Sequence, residues 1–357
     1  MYNSPVQALL FTLALITLQD PPRPSFSEWL DGVRKEAIER GIRQEIVDEA
    51  LGHIDEPMPV VLERDRAQAE AVFSLERYIT RQLTAKKLRN GREKFAEQRD
   101  LLDAVAKRYG VPAQTIAGVW GMETNFGGFS GIRPTVAALA TLAWDPRRST
   151  FFRGELFDAL EILNRGDIDF DSMKGSWAGA MGQPQFMPSS YLKFAQDFDG
   201  DGRKDIWANP ADVFASIANY LKGHGWIEGQ LWGREVSIPA ATAKAIRSDV
   251  ARRSDICRGG RDMTVAQPLA TWRKQGVRLP GGKPLPSSDL PASLVSGATR
   301  HFLVYKNFDA LLDYNCSLSY AITVALLGDA VASPKATGRK AQAATHTPRV
   351  AGGASRK

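Results

Sequence analysis

A chain of 357 residues with 43% hydrophobic and 24% charged residues has enough apolar material for one large core or two to three packed subdomains, which excludes a disordered, charge-dominated chain. The formal net charge of +6 points at first to a polyanionic partner. Yet Lys335, Arg339, Lys340, Arg349, Arg356 and Lys357 all follow Ala330 with no acidic residue among them, so the body before Ala330 is close to neutral. That argues against a nucleic-acid enzyme.

The N-terminal apolar run from about Val6 to Leu18 is shorter than the roughly 20 residues that span a bilayer. It reads as the core of a secretory signal covering residues 1–22. Its flank lacks Lys and Arg and "LITLQD" is a poor cleavage site, so a buried N-terminal helix is the alternative. No Cys follows the run, which argues against a lipid anchor there.

Helical patterns come next. "FSEWLDGVRKEAIERG" and "RQEIVDEALGHI" repeat apolar residues at i, i+3 and i+4, and Pro57 and Pro59 are expected to end them. One long helix is expected near residues 84–109. "VPAQTIAGVWGMETNFGG" forms another, with Pro112 in its first turn and Gly127 and Gly128 at its end. "RPTVAALATLAW", "STFFRGELFDALEILNRG" and "ADVFASIANYLKGHGW" continue the pattern, with Ser149 and Thr150 as N-caps and Gly166 as a stop. Strands are expected near residues 234–239 and 299–308, and a last helix from Ser317 to about Leu327. The class is mainly α with a small β part (α+β). Residues 23–330 form one catalytic region, and residues 331–357 form a basic tail whose composition is that of a disordered segment, either a solvated extension or an attachment to an anionic surface.

Two motifs leave alternatives open. Cys257 and Cys316, the two cysteines, suit one disulfide in an oxidising compartment or two buried thiols. In "DFDGDGRKDIWANPAD" Asp197, Asp199 and Asp201 stand at positions 1, 3 and 5 of a calcium loop, with Arg203 offering a carbonyl at 7. Position 12 is Ala208, and Asp212 would have to close a longer loop spanning residues 197–212. An Asp/Gly turn held by its own side chains is the other reading.

The stretch "GVWGMETNFGGFSG" sets Glu123 in the last turn of its helix, where the dipole disfavours negative charge by up to about 1 kcal/mol. Moving a glutamate from about 4.3 to about 6 or 7 takes roughly 3 to 4 kcal/mol. Burial beside Trp120, Met122 and Phe126 would supply the remainder and yield a general acid suited to a glycosidic bond. A solvent-facing glutamate is the plainer reading of this stretch taken alone. The block "GSWAGAMGQPQFMPSSYLKF" favours the first: its small residues and amides make a poor amphipathic helix and a good wall for a polar sugar.

In order along residues 25–330, "GMETNFG", "GAMGQPQFMPSSY", "ANYLKGHGW" and "YNCSLSY" resemble the motifs of the B-type lytic murein transglycosylases. The resemblance implies a lysozyme-like core with an additional helical lobe and a cleft. It implies cleavage of the bond between N-acetylmuramic acid and N-acetylglucosamine without water, on glycan strands of peptidoglycan in the periplasm, by a monomer with no transmembrane span once processed. Glu123 matches the family's single catalytic acid/base; Ser176, Gln185 and Tyr220 match cleft residues near it. Asn315 and Tyr320 match polar groups on the opposite side, and Tyr78 an aromatic at the cleft edge. No cofactor is implied for catalysis; some relatives resemble this chain in an EF-hand-like loop, so a structural Ca²⁺ is the expected use of the Asp segment. A water-using muramidase would need a second carboxylate, for which Asp145, Glu155 and Asp158 are candidates, although the last two read more simply as solvated helix residues. A peptidoglycan-binding protein without activity and a calcium-binding structural protein are the remaining alternatives.

Overall fold

The computed structural model describes residues 24–67 and 73–333. The expected signal, residues 1–22, and the expected tail from 334 onward lie outside the described residues. The described residues form two compact units, one of residues 24–67 with Gly131–Lys193, the other of residues 73–130 with residues 194–333.

In the first unit, Ser25 starts the Phe26–Glu39 helix with a reciprocal cap, its side chain accepting from the Glu28 N–H while Glu28 reaches back to the Ser25 N–H. Pro59 opens the Pro59–Ala67 helix where the sequence suggested a stop. Proline is well suited to a first turn because its missing N–H has no intrahelical partner there. The Thr135–Trp144 helix is apolar and buried on nearly every side, and it packs on Ser149–Arg165. Gly166 ends the latter with φ +75°, a left-handed cap that glycine adopts without a Cβ clash. Ser149 is the first residue of that helix and Arg148 precedes it, with no side-chain cap, so the expected serine or threonine cap is absent.

Glu155 departs further from the sequence reading. It is 5% exposed, its carboxylate accepts the Ser189 N–H at 2.9 Å and the Ser189 hydroxyl at 2.7 Å, and burial holds its pKa above the ordinary value. An acid expected in solvent is thus a buried anchor for the segment entering the Pro188–Phe194 helix. Glu155→Ala leaves two donors unpaired beside a small cavity and is expected to cost about 2 to 4 kcal/mol, read as a lower urea midpoint; Glu155→Gln, which keeps an acceptor, should lose clearly less.

The second unit is built around the Ala113–Thr124 and Leu318–Ala332 helices. They approach at glycines: a Cβ on Gly118 would strike the Val324 carbonyl, and one on Gly328 the Gln114 carbonyl. Ile116, Val119, Trp120, Phe214, Ile322, Val324 and Leu327 fill the surrounding core. The long helix expected over 84–109 is two, Ala85–Glu97 and Arg99–Tyr109, broken at Gln98. The last helix runs to Ala332, several residues past its expected end and into the expected tail. A four-stranded antiparallel sheet has the order Gly233–Val236, His301–Val304, Pro291–Ser296, Gln267–Pro268. The two central strands align Leu294 with Leu303, and Trp272, Val277, Leu285 and Tyr305 complete a second core beneath. Pro291–Ser296 carried no strand signal in sequence, because its serines and flanking prolines hide a stretch buried at four successive positions. Cys257 and Cys316 are joined in a disulfide across 59 residues, which settles the alternatives in favour of the bridge. Among the described residues no single helix is long and apolar enough to cross a membrane.

Candidate active site

Glu123 stands in the last turn of Ala113–Thr124, and the chain then turns with unusual backbone geometry. Asn125, Phe126 and Gly127 have φ of 52°, 62° and 75°, and the first two are side-chain-bearing residues in the left-handed region, at a cost of about 1 to 3 kcal/mol each. Packing holds the turn: Phe126 inserts against Gly91 and Gly121, where any Cβ would meet its ring, and it meets Trp120 edge-on at 5.5 Å. Helix termination therefore falls on Asn125, two residues before the expected glycines.

The carboxyl is half-buried and accepts a short hydrogen bond from the Tyr320 hydroxyl. Burial raises its pKa to about 7, against opposing contributions from the Tyr320 hydrogen bond and the Lys87 charge. The neighbours differ from those expected. Trp120 faces inward onto Phe214 at 4.9 Å, while the groups that feel the Glu123 charge are the tyrosines. Burial, then Glu123, raises the pKa of Tyr78, and the same two causes hold Tyr314 and Tyr320 well above the ordinary phenol range. Phenols kept neutral in this way act as hydrogen-bond donors to an anion.

Tyr220 extends the cluster. Its hydroxyl donates to the Asp313 carbonyl at 2.7 Å, its ring lies 4.7 Å from Tyr314 and stacks on His224 at 4.3 Å, and burial pushes its pKa up to about 12. His224 Nδ1 lies 3.2 Å from the Asp313 carboxylate. Asn315 is exposed, just after the Asn307–Tyr314 helix. The second unit thus gathers Glu123, Tyr78, Tyr220 and Tyr320 by contact or charge, with Asn315 following Tyr314. Ser176 and Gln185 belong to the first unit. There Ser176 Oγ accepts the Ala178 and Ala180 N–H groups, and Gln185, with φ 54°, donates through its amide to the Gly182 carbonyl at 2.8 Å.

Sequence reasoning missed Lys87 and Tyr314. Lys87 Nζ lies 3.7 Å from Met122 Sδ, and burial lowers its pKa while Glu123 opposes that shift. The missed signal is a lysine in the first turn of Ala85–Glu97, a position where the helix dipole disfavours a cation. Tyr314 sits inside "YNCSLSY", beside the Asn315 that was singled out.

In the calcium-loop segment, Asp197, Asp199 and Asp212 bring carboxylate oxygens within 4.8 Å of one another. Asp212, buried, accepts the Phe198 and Asp205 N–H groups, and burial, with the Asp199 and Asp197 charges adding, raises its pKa to about 6. Asp201 lies outside this cluster and accepts the Arg203 N–H at 2.8 Å, so of the four expected carboxylates Asp197, Asp199, Asp201 and Asp212, three converge.

Residues 25–329 match the transglycosylase SLT domain family. The membrane-bound lytic murein transglycosylase B of Escherichia coli (strain K12) is 32% identical over 320 residues, 87% of this chain and 83% of that protein. The chain belongs to the lytic transglycosylase family. Its fold is similar to that of SltB3 from Pseudomonas aeruginosa, crystallised in complex with NAG-anhNAM-pentapeptide, at 40% identity and a TM-score of 0.78, covering 86% of this chain and 79% of that one. It is also similar to Escherichia coli Slt35 in complex with calcium, at 30% identity and a TM-score of 0.69, covering 87% and 93%. The mainly helical, lysozyme-like class expected for this transglycosylase is the one observed, and the chain is an enzyme of that lyase family.

Proposed function

We propose that this transglycosylase is exported to the periplasm and cleaves the bond between N-acetylmuramic acid and N-acetylglucosamine in peptidoglycan, forming a 1,6-anhydro product, with Glu123 as acid and then base. The observation that carries this is a single carboxyl whose burial sets its pKa at about 7, close to the pH at which it must both give and take a proton. Glu123 protonates the leaving oxygen, and the 2-acetamido carbonyl of the sugar stabilises the cationic centre. The Glu123 carboxylate then takes the proton of the C6 hydroxyl as that oxygen closes on C1. Tyr320, donating to Glu123, orients the carboxyl and stabilises it between the two steps. Two of the three candidate second carboxylates are otherwise engaged, Asp145 with Arg147 at 3.0 Å and Glu155 with Ser189; burial holds the pKa of the third, Asp158, above the ordinary value.

Residues 23–330 would then be the catalytic region, with residues 1–22 directing export and Ser176, Gln185 and Asn315 contributing polar contacts to the glycan. The test is digestion of purified peptidoglycan by the wild type and Glu123→Gln, with products weighed by mass spectrometry. Muropeptides lighter by one water than reducing-end species, absent with the variant, are expected. Reducing-end products would make it a muramidase, and no product from the wild type would favour a binding protein.

The acidic loop supports a structural Ca²⁺ held by Asp197, Asp199 and Asp212, because three carboxylates crowded within 4.8 Å repel one another until a cation offsets them. Ca²⁺ is expected to raise the melting temperature of the wild type and to leave that of Asp199→Ala nearly unchanged. Since protons compete for Asp212, whose pKa is about 6, the stabilisation should fade as pH drops below about 6; equal curves with calcium and with chelator at pH 7.5 would contradict the assignment.

A further inference from the structure

Lys87 enters the second unit from the first turn of Ala85–Glu97, where the Thr84 hydroxyl accepts its N–H at 3.2 Å. Four residues on, Gly91 lies on the same face of that helix, and a Cβ there would strike the Phe126 ring. The helix is therefore seated on the turn that follows Glu123. Its lysine reaches the last turn of Ala113–Thr124, with the ammonium 3.7 Å from Met122 Sδ.

Three local effects disfavour a charge at this place. A cation in the first turn opposes the dipole of its own helix, burial lowers the Lys87 pKa, and a thioether is a weak acceptor. Among the described residues no carboxylate oxygen lies within 4.0 Å of Nζ. What favours the charge is the Glu123 carboxylate, which opposes the burial effect, together with the C-terminal end of the Glu123 helix.

The separation decides what such a charge can do. An opposite charge close to a carboxylate lowers its pKa by roughly 1 to 3 units. An ion pair at the strong end of that range would return Glu123 from about 7 to the ordinary glutamate range and leave no acid at neutral pH. With Met122 as its neighbour the ammonium stays outside ion-pair distance, and burial remains the larger effect on Glu123. The other titratable groups around the carboxyl are phenols: Tyr78 of Leu75–Gln82, Tyr314 of Asn307–Tyr314 and Tyr320 of Leu318–Ala332. Pro210–Gly223 adds Tyr220, whose ring lies 4.7 Å from that of Tyr314, and Arg99–Tyr109 shares the core of the Glu123 helix through Leu102 and Val105. Phenols held neutral offer hydrogen bonds; the positive charge that acts on Glu123 is that of Lys87.

We propose that Lys87 is a positioning residue for both proton transfers: its ammonium, standing off the carboxyl beside Met122, stabilises the Glu123 carboxylate formed once the leaving oxygen is protonated, without ionising the resting acid. The inference rests on the acid/base role proposed for Glu123. Lys87 keeps its own proton throughout; the proton that Glu123 gives to the leaving oxygen is replaced by that of the C6 hydroxyl.

The test titrates Glu123 directly, by carbon NMR of the full-length protein enriched at the glutamate carboxyl carbons, with the signal assigned by its absence from Glu123→Gln. Initial rates on sub-saturating purified peptidoglycan are measured in parallel across about pH 5 to 9. Lys87→Met, which keeps the apolar stem, should raise the Glu123 midpoint by about 1 unit, the low end for a lost opposite charge, and carry the alkaline limb of the rate profile with it. On the acid side its rate should fall severalfold, since a weaker acid gives up its proton less readily. Lys87→Arg, which keeps the charge, should leave midpoint and limb near those of the wild type. A lysine of purely structural use would lower rates without moving either. A midpoint unmoved in Lys87→Met, or one that Lys87→Arg moves equally, would overturn the assignment; Lys87→Gln carries the same test should circular dichroism show Lys87→Met misfolded. A midpoint that moves while the rate profile stays fixed would instead overturn Glu123 as the acid of turnover and leave its coupling to Lys87 in place.

Discussion

Glu123→Gln is expected to lower turnover of peptidoglycan by about 10³-fold or more, near the upper end of what general acid–base catalysis supplies, because in the proposed mechanism one group serves both proton transfers. The same variant should be more stable than the wild type at alkaline pH. Glu123 titrates near 7 in the folded state and near 4.3 in the unfolded chain, so between these values the folded state binds the extra proton. Stability contributed by this group is therefore fully present below about pH 4, falls as pH rises to 7, and stays low above it; the difference of more than 2 units corresponds to about 3 kcal/mol. Glutamine carries no charge to desolvate, so denaturation curves of the two proteins should converge near pH 4 and separate toward pH 8. A separation that widens in the other direction would mean that the carboxylate, not the acid, is the form the fold prefers.

Gly328→Leu is expected to cost about 3 kcal/mol or more and to take activity with it. The added side chain meets the Gln114 carbonyl, a backbone group that cannot swing aside, so the two central helices must separate. Thermal unfolding followed by near-ultraviolet circular dichroism reads the effect. Gly154→Ala is the contrasting case: its added methyl meets nothing within 4 Å in the middle of the Ser149–Arg165 helix, and the gain in helix propensity should stabilise by about 1 kcal/mol.

The helices on either side of Glu123 were legible because their apolar spacing is regular and their ends carry Pro112 and Ser317. The break at Gln98 was not, since neither proline nor glycine marks it and both flanking segments favour a helix. Glu123 itself stood out as a candidate through its position at a helix end. Its surroundings did not, because Tyr78, Lys87, Tyr314 and Tyr320 come from four helices brought together only by the packing of the second unit. Glu155 shows the limit most clearly. An amphipathic pattern places it at the edge of the polar face, and only the position of Ser189, 34 residues away, turns that edge into an interior.

The bond between Tyr320 and Glu123 joins residues 197 positions apart, and the helix carrying Tyr320 is the last one described in the chain. During synthesis the Glu123 helix therefore emerges long before the partner that covers it. Until Leu318–Ala332 arrives, the Glu123 carboxyl lacks the Tyr320 hydroxyl and its helix lacks the element it packs against most extensively. A chain truncated before Leu318 therefore lacks that partner, and on the role proposed for Glu123 its competence for cleavage waits until this helix has been made.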